Sequence, residues 1–241
     1  MSAAESSSQP NTSRKIIVAI DGPAGAGKST VARHLARHFG LLNLETGAMY
    51  RAFALKALRS EIPLDATGPL ETLAAETQIR LESGEDENRV LLDDEDVTGL
   101  IRNQTVTDAA SRVSVFPAIR AWMVRLQQEM GAGGGVVMEG RDIGTVVFPN
   151  ADAKIFLDAA PEVRGMRRFD QLGPQPTIQA EEVIRELHAR DDRDRNRADS
   201  PLKPAEDAVL LDSTGLTLDQ AVKAAEDIVA TKLALAGTPL P

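Results

Sequence analysis

Nine consecutive residues, Gly22-Pro23-Ala24-Gly25-Ala26-Gly27-Lys28-Ser29-Thr30, have the form G-x-x-x-x-G-K-S. That spacing suits a loop that holds the phosphates of a nucleoside triphosphate. Glycines let the backbone take dihedrals that other residues resist, so successive N–H groups turn toward one anion. A helix beginning at the end of the loop adds its partial positive charge. Lys28 is placed to reach the β- and γ-phosphates, and the Ser29 hydroxyl to ligate Mg²⁺. A Gly-rich turn with no ligand has no packing reason to carry Lys-Ser at this position.

Such a loop accounts for one substrate only. Arginines are frequent in the rest of the chain: Arg51, Arg120, Arg141, Arg164, Arg167, Arg168, Arg190, Arg193, Arg195 and Arg197. Guanidinium binds phosphate through two donors and keeps its charge near neutrality. A site joining two phosphorylated substrates needs several such cations to offset repulsion and developing charge. In the run Arg190-Asp191-Asp192-Arg193-Asp194-Arg195-Asn196-Arg197, the residues Arg190, Asp194 and Arg197 fall on one helical face. Spacing alone fits a solvated, salt-bridged face equally well. His34 and His38 are also one turn apart, but no acidic or cysteine partner stands out for zinc, so they read as an exposed helix face.

The elements that position these residues follow from the apolar pattern. Residues 15–20 form a β-branched run that predicts a buried strand before the loop. Val31, Leu35 and Phe39 give the following helix one apolar face. Leu41–Leu44 predicts a second strand, with a helix from Thr46 carrying Met49, Phe53 and Ala57 inward. Residues 70–76 read as helix. Gln78–Glu82, Val90–Leu92 and Asp96-Val97 read as a small antiparallel unit, with turn chemistry at Ser83-Gly84-Glu85-Asp86. Helices are expected over 102–113 and from Pro117, where proline sits at the first helical position. The glycine-rich stretch Gly131-Ala132-Gly133-Gly134-Gly135 stops that helix. Strands are expected at Val136–Met138, Lys154–Leu157 and Ala208–Leu211. Helices are expected from Pro161, over 179–197, and from Thr217, which has capping-box form. Gly173-Pro174-Gln175-Pro176 is a break. Alternating buried strands and helices predict an α/β fold with a parallel sheet flanked by helices, whose ligands bind beyond the strands' C-terminal ends.

Composition narrows the class. The 241 residues carry 36 acidic and 27 basic side chains, a formal net charge of −9, and a pI near 4.9. That balance argues against a general nucleic-acid binder. There is no cysteine, which excludes disulfides and thiolate metal sites and suits a reducing cytoplasm. No membrane span is expected, and a monomer is the default. Residues 1–14 read as a loose leader before a single domain over 15–236.

Four blocks, Ile20–Thr30, Glu45-Thr46-Gly47-Ala48-Met49-Tyr50-Arg51, Glu139–Pro149 and Arg190–Arg197, occur in an order and spacing that resemble the bacterial cytidylate kinases over about residues 15–235. The G-R-D-x-G-T-V-V-F-P block and the R-D-D-R-D-R-N-R block are specific together, whereas the phosphate loop is shared by many unrelated enzymes. The resemblance implies a P-loop kinase core with a monophosphate-binding insert at about 70–112 and a lid at about 164–180. It implies ATP and Mg²⁺ as cofactors and CMP or dCMP as substrate. By position, Thr46, Tyr50, Arg51, Arg141 and Arg197 would hold the monophosphate. Ser111, Arg120 and Asp142 would read the cytosine, and Asp194 the ribose. Lys28, Arg141, Arg164, Arg167, Arg168, Arg190 and Arg193 would surround the moving phosphoryl group or the ATP. Glu45 and Glu139 stand where the family often has Asp. With Asp21 they are the three carboxylates placed to hold a magnesium-bound water, and the sequence leaves the choice open. Rival readings are a kinase of another small acceptor, a GTP-hydrolysing switch, which would carry an N-K-x-D motif that this chain lacks, and a non-catalytic scaffold.

Overall fold

The computed structural model describes residues 15–82, 84, 88–172 and 179–238. Strand β1 (Ile17–Asp21) leads through the glycine loop into α1 (Lys28–Phe39), then β2 (Leu42–Glu45) and α2 (Thr46–Arg59). Helix α3 (Thr67–Ala75) precedes three short strands, β3 (Ile79–Glu82), β4 (Arg89–Leu92) and β5 (Glu95–Asp96). Helices α4 (Gln104–Val113) and α5 (Pro117–Gly131) return the chain to β6 (Val136–Gly140). A single π-helical turn (Ile143–Val147) follows, then β7 (Ala153–Asp158), α6 (Pro161–Leu172), α7 (Ala180–Asn196), β8 (Val209–Asp212) and α8 (Leu218–Leu235).

The main sheet has the order β2-β6-β1-β7-β8 with every pairing parallel. Crossovers of this length require helices on both faces, and the central strands β1, β6 and β7 are correspondingly buried. Register decides what meets at the C-terminal edge. Glu45 pairs with Glu139, and Asp21 pairs with Gly140. The loops after β2, β6 and β1 therefore emerge side by side at the middle of the sheet.

One core lies between the sheet and α1 and α8, built from Val18, Ile20, Leu35, Phe39, Leu157, Val229 and Leu233. The opposite face packs Leu44, Met138, Ile143 and Val147 beneath the π turn. A third cluster joins α2, α4 and α5 to the antiparallel sheet β3-β4-β5 through Met49, Phe53, Leu70, Val90, Val106, Ile119 and Met123. The small sheet is thus fastened to the core by the same two helices, α2 and α5, that reach the main sheet.

Sequence expectations for these elements hold to within a few residues. Pro117 occupies the start of α5, and Thr217 and Gln220 form the capping box of α8. The π turn after β6 had no expectation attached. The leader, part of the 83–86 turn and the 173–176 break lie outside the described residues.

Candidate active site

The loop after β1 owes its shape to two glycines. Gly22 has φ 151°, and a Cβ there would lie 1.9 Å from the Leu157 carbonyl oxygen. Gly27 caps α1 in the left-handed region at φ 96°. Lys28 is buried and donates to the Pro23 carbonyl oxygen at 2.7 Å. The loop is curled with its ammonium group inside.

A cavity of about 690 Å³ opens beside this loop. Its walls include Lys28, Ser29 and Thr30 from α1, Glu45, Thr46, Tyr50 and Arg51 from the start of α2, and Ser111 and Arg120 from α4 and α5. Glu139, Gly140, Arg141 and Asp142 at the end of β6, and Arg168, Arg190, Asp194 and Arg197 from α6 and α7, complete it. The spacing of Arg190, Asp194 and Arg197 does place them on one face, and that face lines the cavity.

The cavity is electrostatically divided. Deep in it, Arg120 donates to Asp142 Oδ2 at 2.5 Å and to the Ser114 carbonyl at 3.2 Å, with both side chains of the ion pair almost wholly buried. Arg141 donates to Asp194 Oδ2 at 2.8 Å, and Arg197 lies 3.5 Å from the other Asp194 oxygen. Burial pushes the Asp194 carboxyl up, but Arg141, Arg190 and Arg197 overcome that and hold it below the usual range. Arg190 is pushed down to about 10, first by loss of water and then by Arg141. Lys28 is lowered by burial and by Arg141. Glu139, 4% exposed, is raised by burial and by its register partner Glu45.

Among the described residues, buried polar atoms without a hydrogen-bond partner concentrate here: Asn43 Oδ1, Arg51 Nε, Arg120 Nε, Glu139 Oε1, Arg190 Nε and Arg197 Nη2, all on residues that line the cavity. Buried polar groups are almost always satisfied, so this concentration marks where a polar ligand belongs.

The sequence of the cytidylate kinase family matches this chain over residues 18–231. The chain belongs to that family. A protein named cytidylate kinase from Pelotomaculum thermopropionicum (strain DSM 13744 / JCM 10971 / SI) is 50% identical over 208 residues, covering 86% of this chain and 92% of that protein. Another of that name from Solibacter usitatus (strain Ellin6076) is 47% identical over 223 residues, covering 91% and 94%. A third, from Pasteurella multocida (strain Pm70), is 45% identical over 211 residues, covering 87% and 93%. A solved gluconokinase from Sinorhizobium meliloti 1021 shares 14% identity at a TM-score of 0.48, over 93% of this chain and 97% of that one.

In this cytidylate kinase family member the expected site residues separate into two groups. Lys28, Ser29, Thr46, Tyr50, Arg51, Ser111, Arg120, Arg141, Asp142, Arg168, Arg190, Asp194 and Arg197 converge on the cavity. Arg164, Arg167 and Arg193 are engaged elsewhere. Arg164, 2% exposed, donates to the carbonyls of Ala159 and Ala24 at 2.8 and 2.9 Å and pairs with Asp191 at 2.6 Å. Arg167 donates to Ser213 Oγ and to its carbonyl at 3.0 and 2.8 Å. Arg193 donates to Ser111 Oγ at 3.2 Å, at the cavity's edge. The first part of the expected lid, up to Leu172, is the helix α6.

The three carboxylates also separate. Asp21 accepts from the backbone N–H groups of Ile143 and Gly144 at 2.8 and 2.7 Å, capping the π turn. Its carboxyl is raised to about 6 by burial despite those two bonds. Glu45 is engaged by Arg51. Only Glu139 keeps a buried oxygen without a partner. Asn43 was missed in the sequence; an amide inside the apolar run Leu41-Leu42-Asn43-Leu44 was the available signal.

Proposed function

We propose that this chain transfers the γ-phosphoryl group of ATP to CMP or dCMP, giving CDP or dCDP and ADP, with Mg²⁺. The carrying observation is that the phosphate loop and the Gly140-Arg141-Asp142 loop open into one cavity whose walls hold the unpartnered guanidinium and carboxylate atoms. Both loops stand on neighbouring strands, so a donor bound by one and an acceptor bound by the other would meet between them.

The acceptor is already a phosphate oxygen. A phosphomonoester's second pKa is about 6, so it is largely dianionic at neutral pH and needs no general base. What remains for the protein is to align two anions and stabilise charge on the moving group. Lys28 would hold the donor's β- and γ-phosphates. Thr46, Tyr50, Arg51, Arg141 and Arg197 would hold the acceptor phosphate, and Arg190, between them, the transferred group. The unused donors at Arg51, Arg190 and Arg197 support this assignment.

The donor set suits Mg²⁺, a hard cation that takes oxygen ligands and keeps several waters. Ser29 would ligate it and Glu139 would hold one of those waters, since Asp21 and Glu45 are already engaged. Bound Mg²⁺ would neutralise charge on the phosphate oxygens.

Base reading follows from Asp142. Cytosine offers an amino donor where uracil offers an oxygen, so a carboxylate there favours cytosine. Arg120 holds one oxygen of Asp142, and the other, Oδ1, has Arg197 4.0 Å away. Asp194 would accept from the ribose. The insert at about 70–112 and a lid at about 164–180 complete this reading.

ADP release with ATP and Mg²⁺ should be compared for CMP, dCMP, UMP, AMP and no acceptor. Turnover fast with CMP and dCMP, slow with UMP and absent with AMP is expected. Turnover with AMP alone, or equally without acceptor, would overturn the reading.

A further inference from the structure

Helices α1 and α8 lie together against one core, with Leu35 and Phe39 of α1 packed among Val222, Val229 and Leu233 of α8. At the rim of that contact α1 presents His34 and His38, and α8 presents Glu226. His34 Nε2 is 2.7 Å from Glu226 Oε1, and His38 Nδ1 is 3.0 Å from the same oxygen. The three potential ligand atoms all lie within 4.8 Å of one another. The two rings are nearly parallel, 20° apart with centroids separated by 6.2 Å. Neither imidazole lines the nucleotide cavity, and phosphoryl transfer uses neither. The acidic partner that the sequence did not offer is supplied from 192 positions downstream.

We propose that His34, His38 and Glu226 bind a borderline divalent cation, Zn²⁺ or its neighbours Co²⁺ and Ni²⁺, and that the bound ion clips α1 to α8. Two imidazole nitrogens and one carboxylate oxygen form a donor set that such ions accept, with a position left for water. Two histidines four residues apart on a helix already share a face, which is the spacing zinc sites on helices use. Zinc bonds to these atoms run about 2.0–2.2 Å, so tetrahedral ligands stand roughly 3.3–3.5 Å apart. The present nitrogen–oxygen distances are shorter, and the carboxylate needs to withdraw by about half an ångström.

The site has the freedom for that and the anchoring to reproduce it. The imidazole side chains are 46% and 50% exposed, while the core holds the two helix backbones in place. Glu226 is 12% exposed, and its second oxygen lies 3.4 Å from Lys223 Nζ, so Oε1 is the one presented to the histidines. Mg²⁺, which favours oxygen ligands in octahedral array, finds one carboxylate and two nitrogens here. The reaction's own cation would therefore leave the clip alone. Because α1 begins with Lys28 and Ser29, the clip would fix the far half of the helix that carries the phosphate loop.

The test is calorimetric titration of untagged full-length protein with ZnCl₂, in excess Mg²⁺. One zinc per chain is expected. His38→Ala and Glu226→Ala should each weaken it at least tenfold, since loss of a ligand costs no less than loss of the partner behind one. His34→Ala/His38→Ala should abolish it, and His188→Ala, which removes the third histidine of the chain, on α7, should leave it unchanged. Zinc should raise the thermal midpoint of the wild type, chelator should reverse the rise, and the double variant should show neither. Co²⁺ should give the visible absorption of a four-coordinate ion in the wild type only. If the double variant fails to fold by circular dichroism, His38→Ala alone carries the comparison. No stoichiometric zinc in the wild type, or zinc that persists in the histidine variants, would overturn the proposal and leave these residues as a metal-free hydrogen-bonded latch.

Discussion

Two sets of arginines on neighbouring elements are used in opposite ways. On α6, Arg164 and Arg167 spend their donors on the protein: carbonyls of Ala24, Ala159 and Ser213, the Ser213 hydroxyl, and the Asp191 carboxylate. On α7 and around the cavity, Arg190, Arg197, Arg51 and Arg120 each keep a buried donor atom unpaired. Unpaired buried donors cost stability and are tolerated where a ligand will take them. One set is therefore spent on the protein's own structure and the other keeps donors open at the cavity, although the sequence presents both as the same residue type.

Substitutions should separate the two sets, and the largest effect belongs to the cavity set. Arg190→Ala is expected to lower kcat about 10³-fold, the scale of losing a guanidinium from developing phosphoryl charge. Its ligand-free thermal midpoint should not fall, because the change removes a cation already disfavoured by desolvation and by Arg141. A lowered midpoint with unchanged kcat would assign Arg190 to the wall instead. Arg164→Ala should do the reverse. Removing it strands Asp191, which is 4% exposed, and breaking a buried pair costs roughly 3 kcal/mol or more. Urea denaturation should show that loss, while kcat per folded molecule stays within about tenfold of wild type.

Asp142→Ala sharpens the comparison at the base. It should reduce CMP-over-UMP selectivity in kcat/KM by roughly 1–3 kcal/mol, about five- to 150-fold. Unchanged selectivity would make Asp142 a loop-ordering partner of Arg120. The smallest effect concerns protons. Lys28 in the free protein is lowered by burial and by Arg141, and bound phosphate would raise it again. A lysine depressed when free and restored when bound takes up protons on binding in the interval between its two values. At about pH 8, ATP binding should therefore consume a fraction of a proton. Calorimetry in buffers of different ionisation enthalpy measures it, and Lys28→Met should remove the buffer dependence that wild type shows.

Much of this was readable from one sequence, for identifiable reasons. Strands β1, β6 and β7 are short, mostly apolar runs, and helices such as α5 and α8 announce their first residues through Pro117 and Thr217. The phosphate loop is a local motif, so eight residues suffice to see it. Spacing also put Arg190, Asp194 and Arg197 on one face, yet could not say that the face was the cavity's and not the solvent's. What stayed hidden depends on contacts far apart in the chain. Arg164 is turned inward by Ala24, 140 positions away. His34 meets Glu226 only because α1 packs on α8. The π turn after β6 has no periodicity of its own; Asp21, 122 positions earlier, holds its first N–H groups.

That last contact reaches beyond the turn it caps. Asp21 is the final residue of β1 and precedes Gly22, so the carboxylate holding the segment after Asp142 is joined directly to the loop meant for ATP. Attempts to redesign the acceptor by grafting another enzyme's segment 140–147 onto this chain would inherit the problem. Unless the graft offers two amides to the same carboxylate, the anion is left buried without its donors, and the disturbance is passed straight to the ATP loop. On the proposed assignment of the two loops, donor affinity and acceptor preference would be one engineering variable, and libraries that vary the 140–147 segment should hold Asp21 and its two amide contacts fixed.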